Sequence, residues 1–228
     1  MSFDISQLIL HKEKFLSENE CNQLIEYFEN NKNNSVKEHC PEAKTGIDTW
    51  STFDVISIPY GEEEFKIVSK ALEKMINLYH EYTDQFNMFH KLRKQNMLYS
   101  HQIRLMKYEK GAKIHAHSDH GPYIYGSCTF NLNDDYEGGE FVFFRDKYKY
   151  KLKKGDALIF PADHYWVHEV KPIEKGVRYS TNCFLQSVPN SIRMKLWEQE
   201  NIASERYKFV AEDGIMYNIK GEKNEFES

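Results

Sequence analysis

No stretch of the chain approaches the roughly 18 consecutive apolar residues that a membrane-spanning helix needs, and the opening MSFDISQLILHKEKF lacks a basic segment leading to a small-residue cleavage site. Neither a spanning helix nor a secretory leader is expected, so the expected location is the cytoplasm. Cysteine is scarce: Cys21, Cys40, Cys128 and Cys183 are scattered, form no CxxC pair and suit reduced thiols better than a disulfide frame. Basic charge is not in excess either. The net charge of -5 gives no general pull on nucleic acid and the lysines form no local patch, so no nucleic-acid or membrane partner is expected. Internal repeats and low-complexity linkers are missing as well. What remains is a chain of 228 residues, 40% hydrophobic and 29% charged, long enough to bury a core as one domain.

That domain, residues 1–228, divides by pattern into supporting helices and strands (1–95), a β-rich core (96–187) and a C-terminal extension (188–228). Ser17-Glu18-Asn19-Glu20 has the spacing of a capping box, and Cys21, Leu24, Ile25 and Phe28 repeat on one face of the helix it would start. Residues 35–44 read as a loop and 46–58 as a strand closed by Pro59-Tyr60-Gly61. Val68, Ala71, Leu72, Met75, Ile76 and Tyr79 mark a second amphipathic helix over about 62–82, and both helices are expected to pack on a sheet.

After residue 95 the period changes to two. Segments 102–108, 113–119, 123–132, 140–144, 148–152, 156–160, 165–170 and 177–186 are short, rich in aromatic and β-branched residues, and separated by turn residues such as Lys110-Gly111 and Gly138-Gly139. About eight strands at this spacing make a jelly roll or barrel, so the expected class is mainly β with supporting α-helices. Residues 189–206 read as a further helix around Ile192, Met194, Leu196 and Trp197, and residues 220–228 as a frayed end.

Strict alternation would put Lys113, His115, His117 and Asp119 on one strand face, an arrangement too polar to bury without a ligand. His168, alternating with Trp166 and Val170, is the best third ligand. Two imidazoles and a carboxylate form the facial triad of non-haem Fe(II), with three coordination positions left open. Ten residues on, Arg178, Ser180 and Asn182 share a face, where a guanidinium fork beside a hydroxyl suits capture of a carboxylate. His115, His120 and His164 read as supporting or surface residues rather than ligands, and His11-Lys12-Glu13 as a match without consequence.

His117-x-Asp119, the Glu137-Gly138-Gly139-Glu140 turn, Lys154-Gly155-Asp156-Ala157-Leu158-Ile159-Phe160, His168-Glu169-Val170 and Gly176-Val177-Arg178-Tyr179-Ser180 follow one another in the order found in Fe(II)/2-oxoglutarate-dependent dioxygenases of the prolyl 4-hydroxylase-like group. The resemblance spans about residues 100–187. It implies a double-stranded β-helix core, Fe(II) held by His117, Asp119 and His168, and the distal carboxylate of 2-oxoglutarate held by Arg178 with Ser180. Tyr108 resembles the family tyrosine whose hydroxyl also meets the cosubstrate, although it would equally serve to fill the core.

No catalytic residue beyond the metal ligands is implied. O2 would be the second cosubstrate, ascorbate an accessory reductant, and hydroxylation of a prolyl residue in a peptide or protein the reaction, with release of succinate and CO2. Phe141 and Arg178 stand where collagen-type enzymes carry a small hydroxylated residue and a lysine, so the pattern is nearer the oxygen-sensing or microbial enzymes. Tyr123, Tyr125, Tyr165 and Trp166 are candidates to receive the substrate at the site mouth, with packing as their plain alternative. Two other readings compete. The substrate of such an oxygenase could be a free amino acid or another small molecule, or the chain could be a cupin-like metal-binding protein using His115, His117 and His168, which leaves Arg178 without a role. Related nucleic-acid demethylases carry a second arginine where this chain has Phe184.

Overall fold

The computed structural model describes residues 3–40, 51–89, 94, 97, 99–121, 123–187, 209–210 and 216–217. The helix expected at 189–206 and the end expected to fray at 220–228 lie outside them. In chain order the elements are β1 (Leu10–Lys12), α1 (Glu18–Asn30), β2 (Val36–Cys40), β3 (Ser51–Ser57), α2 (Glu63–Asp84), β4 (Tyr99–Tyr108), β5 (Ile114–His117), β6 (Ile124–Phe130) and β7 (Glu137–Gly138). They continue with β8 (Phe141–Phe143), β9 (Tyr148–Tyr150), β10 (Ala157–Pro161), β11 (His168–Val170), β12 (Ile173–Lys175) and β13 (Arg178–Gln186). A short pair, β14 (Phe209–Val210) with β15 (Met216–Tyr217), follows.

α1 starts where the capping signal sits: Ser17 Oγ accepts from the Glu20 amide at 3.3 Å while Glu20 Oε2 accepts from the Ser17 amide at 2.8 Å. Two otherwise unpaired amides are thereby satisfied at the first turn. α2 opens with Glu63 and Glu64, whose charges favour the positive end of the helix dipole. Residues 36–40 are a strand rather than the loop expected from their polarity. β2 pairs antiparallel with β3 at the edge of the large sheet, where one side is wet and no apolar alternation is required.

The large sheet has the order β1-β10-β6-β13-β4-β3-β2, and a smaller one has the order β5-β11-β8-β9, so the core is the jelly roll expected. The two-residue period sorts the large sheet into two kinds of surface. Ile103, Leu105, Cys128, Phe130, Cys183 and Leu185 join the apolar stripes of α1 and α2 in one core. Met106, Tyr108, Ser127, Thr129, Arg178, Ser180 and Asn182 turn the other way and line a cavity of about 370 Å³. The helices thus back the sheet that holds this polar wall. Packing against them fixes the strands from which the site residues project.

The turn at Gly138 and Gly139 has a steric reason as well as a conformational one. Both have positive φ, +78° and +70°, and a Cβ on Gly138 would come within 2.2 Å of the Pro172 carbonyl oxygen.

Candidate active site

His117 ends β5 and His168 begins β11, and the two are opposed in the antiparallel register, so each strand contributes one imidazole at the same level. Asp119 follows two residues after His117. Its Oδ1 lies 3.1 Å from His117 Nε2 and its Oδ2 3.4 Å from His168 Nε2. Ligand atoms of the three residues all fall within 4.8 Å of one another. Two ligands at right angles on an ion, each about 2.1 Å away, would be about 3 Å apart, so the spacing suits one shared ion.

The second nitrogen of each ring fixes its tautomer. His117 Nδ1 donates to the His115 carbonyl at 2.8 Å and His168 Nδ1 donates to the Trp166 carbonyl at 3.0 Å. A carbonyl only accepts, so the hydrogen of a neutral ring sits on Nδ1 and the Nε2 lone pair faces Asp119. Two lone pairs and a carboxylate, all electron-rich, then converge and need a positive centre between them. A proton or a metal cation satisfies that need.

Burial pushes the His168 imidazole down to about 4, with the Asp119 charge opposing and His117 adding to the fall. Burial would also lower His117, but the hydrogen bond and charge of Asp119 overcome it and raise that ring. Burial acts to raise the Asp119 carboxyl, yet the two histidines and Ser127 hold it well below the usual carboxylate range. Near neutrality the set therefore holds an ionised carboxylate and a neutral His168, the forms that ligate metal. Phe141 lies over His168 with ring centroids 5.2 Å apart and Phe160 meets it edge-on at 4.9 Å, which shields one side from water.

Across the cavity Arg178 is 1% exposed, and its guanidinium lies 5.2 Å from the centre of the Tyr108 ring. Nε donates to Asn131 Oδ1 at 2.9 Å, while Nη1 is buried with no hydrogen-bond partner among the described residues. The hydroxyl of Ser180, two residues along the same strand face, is buried and unpartnered too. A buried cation with an open donor costs several kcal/mol unless an anion meets it. An open guanidinium beside a hydroxyl suits an anionic group such as a carboxylate.

Tyr108 is fully buried and lines the same cavity, with its ring 4.9 Å from Phe53 and its hydroxyl donating to Met106 Sδ at 3.3 Å. Burial pushes its phenol up to about 12, with the Arg178 charge opposing, so the hydroxyl stays protonated and can donate.

Two expectations are corrected. His115 does not share the cavity face with His117, because the register between β5 and β11 slips by one residue and Ile114 lines the cavity instead. Of the four aromatics expected at the mouth none lines this cavity: Trp166 is buried against Phe144 and Tyr165 is 81% exposed. Phe53, Phe141, Phe160 and Phe184 line it instead. His120 and His164 stack on each other at the surface with centroids 4.2 Å apart, and His11 donates to Asp156 at 2.9 Å.

Asn131 was not legible as a site residue. It is fully buried, its amide donates to the carbonyls of Asn133 and Leu152, and its one acceptor oxygen is thereby aimed at Arg178 Nε. A lone asparagine just after a strand carries no pattern that predicts this.

The cavity of this jelly roll thus holds a convergent His/Asp/His triad together with a buried arginine that has an open donor. Residues 103–186 match the family model of the 2OG-Fe(II) oxygenase superfamily, and the fold is similar to that of prolyl hydroxylases.

Among curated proteins it is similar to a PKHD-type hydroxylase of Pseudomonas putida (strain W619), 32% identical over 102 residues that cover 42% of this chain and 44% of that one. A PKHD-type hydroxylase of Saccharophagus degradans is 43% identical over 61 residues, 25% of this chain and 26% of that protein. The chain thus spans less than half the length of these curated relatives. Among solved structures it is similar to a prolyl-4-hydroxylase of Pseudomonas putida, with TM-score 0.57 and 17% identity, over 80% of this chain and 94% of that one. It is also similar to a prolyl hydroxylase of Trichoplax adhaerens in complex with a hypoxia inducible factor peptide fragment, with TM-score 0.59 and 15% identity, over 80% and 84% of the two chains. At such identities these likenesses speak for the fold.

Proposed function

We propose that the protein is an Fe(II)- and 2-oxoglutarate-dependent dioxygenase that hydroxylates a prolyl residue of a peptide or protein, releasing succinate and CO2. The observation that carries this reading is the unpaired Arg178 Nη1 with Ser180 Oγ in a closed wall facing three convergent metal-ligating groups. Fe(II) bound there would supply the redox chemistry that couples oxidative decarboxylation of 2-oxoglutarate by O2 to hydroxylation of a substrate C–H bond.

The chain's own residues bind, orient and exclude water. His117, Asp119 and His168 would hold the ion. Arg178, fixed by Asn131 and lying over Tyr108, takes the distal carboxylate, to which Ser180 and Tyr108 also donate. Ile114, Phe141, Phe160 and Val170 add apolar surface to the lining, which helps to keep water from the reacting atoms. A prolyl substrate is favoured over a free amino acid by the two prolyl hydroxylase neighbours, one of them in complex with a peptide. Ascorbate as an accessory reductant and a thiol-reducing cytoplasmic setting belong to the same reading; Cys21, Cys128 and Cys183 are buried free thiols. No described helix is long and apolar enough to cross a membrane.

The cupin-like alternative needs His115 as a ligand, and His115 stands outside the convergent group. The test is succinate release from 2-oxoglutarate with Fe(II) and no added prime substrate, in the wild type, His117→Ala and Arg178→Ala. Turnover confined to the wild type is the expected result. Release that survives in both variants would reject the assignment.

A further inference from the structure

The cavity holds a second arginine that neither the metal nor the cosubstrate uses. Arg104 lies on β4 directly opposite Asn182 of β13, and both line the cavity together with Glu38 and Phe184. Its Nε and Nη2 both donate to Asn182 Oδ1, at 3.2 and 2.7 Å, and its guanidinium carbon sits 4.8 Å from the centre of the Phe184 ring. Nη1 donates to Glu38 Oε2 at 2.6 Å. A guanidinium carries five N–H groups, so two remain beyond these three contacts.

The three partners differ in permanence. Asn182 and Phe184 belong to a central strand of the large sheet and hold the fork in place on their own. Glu38 belongs to β2, the edge strand, and its side chain is 38% exposed against 15% for Arg104. An ion pair with one member this wet contributes little, so a second carboxylate can replace Glu38 at small cost. The fork would stay pre-organised when it does.

Position separates this arginine from the cosubstrate anchor. Asn182 is four residues from Arg178 on one strand, about 13 Å at the usual rise. The cavity is therefore lined by two cationic forks, one closed over by Tyr108 and Asn131 and one at a rim that an edge-strand carboxylate covers.

Resting on the oxygenase reading above, we propose that Arg104 is the specificity residue for a carboxylate carried by the prime substrate, and that Glu38 occupies its place until the substrate arrives. The substrate class is thereby narrowed to acidic molecules: a prolyl peptide with a nearby Asp or Glu, or one whose own C-terminal carboxylate lies close to the proline.

The experiment uses the full chain with Fe(II), 2-oxoglutarate and pairs of capped prolyl peptides that differ in one group: C-terminal acid against amide, and Glu against Gln beside the proline. Free L-proline and L-prolinamide form a third pair. Hydroxylation is read as a mass gain of one oxygen and 2-oxoglutarate use as succinate. The expected result is a preference for the acid member of one pair by about tenfold or more in kcat/KM, and the pair that shows it names the carboxylate's source. Arg104→Gln should bring that ratio towards one and Arg104→Lys should restore part of it. Glu38→Gln should favour the acid member further by lowering its KM, an effect that a purely structural role for the ion pair would not produce. Equal use of both members of every pair, no hydroxylation of any member while succinate is still released, or an unchanged ratio in Arg104→Gln would overturn the proposal. Silence in succinate release itself would instead reject the oxygenase reading on which it rests.

Discussion

The two ends of the cavity differ in how far they satisfy themselves. At the triad, Asp119 sits against both histidines at 3.1 and 3.4 Å, and a single proton can balance the cluster. At the other end buried Arg178 Nη1 has no hydrogen-bond partner among the described residues. Metal ligands cohere without their metal because acids and bases can share protons. A guanidinium in a closed wall has no such recourse and is met only by an anion or an acceptor. The triad suits a cation and the open arginine suits an anion, the pairing that the proposed oxygenase requires and a simple metal-binding barrel does not.

Five substitutions probe that difference, in falling order of effect. Loss of a ligand should cost most: His117→Ala or Asp119→Ala is expected to reduce succinate release to background and to abolish Mn(II) binding followed by electron paramagnetic resonance. Arg178→Gln should keep Mn(II) binding yet weaken 2-oxoglutarate by about 100-fold, since removing one side of a buried charged contact costs roughly 2–5 kcal/mol. A variant that lost both would show that the two ends are not independent. Asn131→Ala should combine a fall in stability of about 1–3 kcal/mol in a denaturant melt with weaker cosubstrate binding, because it frees Arg178 Nε and opens two buried carbonyls. Ser180→Ala should be mildest, about 1 kcal/mol in 2-oxoglutarate affinity with the melting temperature unchanged or higher.

The helix-facing side of the large sheet supplies a contrast that pH can sharpen. Burial pushes the Cys183 thiol up to about 12 and raises Cys128 well above its ordinary range, with the neighbouring Cys183 adding to the effect. Unfolded, both thiols would lose their protons from about pH 9 upward, the ordinary value for the group. The unfolded chain thus binds fewer protons than the folded one above that point, so stability is expected to fall as pH rises from about 9 towards 12. Alkylation of Cys128 and Cys183 at pH 9, followed by mass spectrometry, should be negligible until the chain is unfolded.

How much of this was legible in the sequence follows from what each signal depends on. The two amphipathic helices and the eight core strands rest on local period and appear where the pattern puts them, and ordered motifs pick out three residues that the fold brings within 4.8 Å of one another. The faces of β5 did not follow. A one-residue slip against β11 exchanges His115 for Ile114 at the cavity wall, and no rule of alternation contains a bulge. β2 was hidden because an edge strand with a wet side has no hydrophobic period. Asn131, Arg104 and Glu38 are ordinary polar residues in sequence and acquire meaning only through partners 47, 78 and 66 positions away in the chain.

The most direct measurement of the central claim is calorimetric titration of 2-oxoglutarate into the Mn(II)-loaded protein without oxygen, beside the metal-free protein and Arg178→Gln. The account predicts binding that requires the metal and falls by about 100-fold in the variant. Binding that is absent from the metal-loaded wild type, or equal in all three, would contradict it.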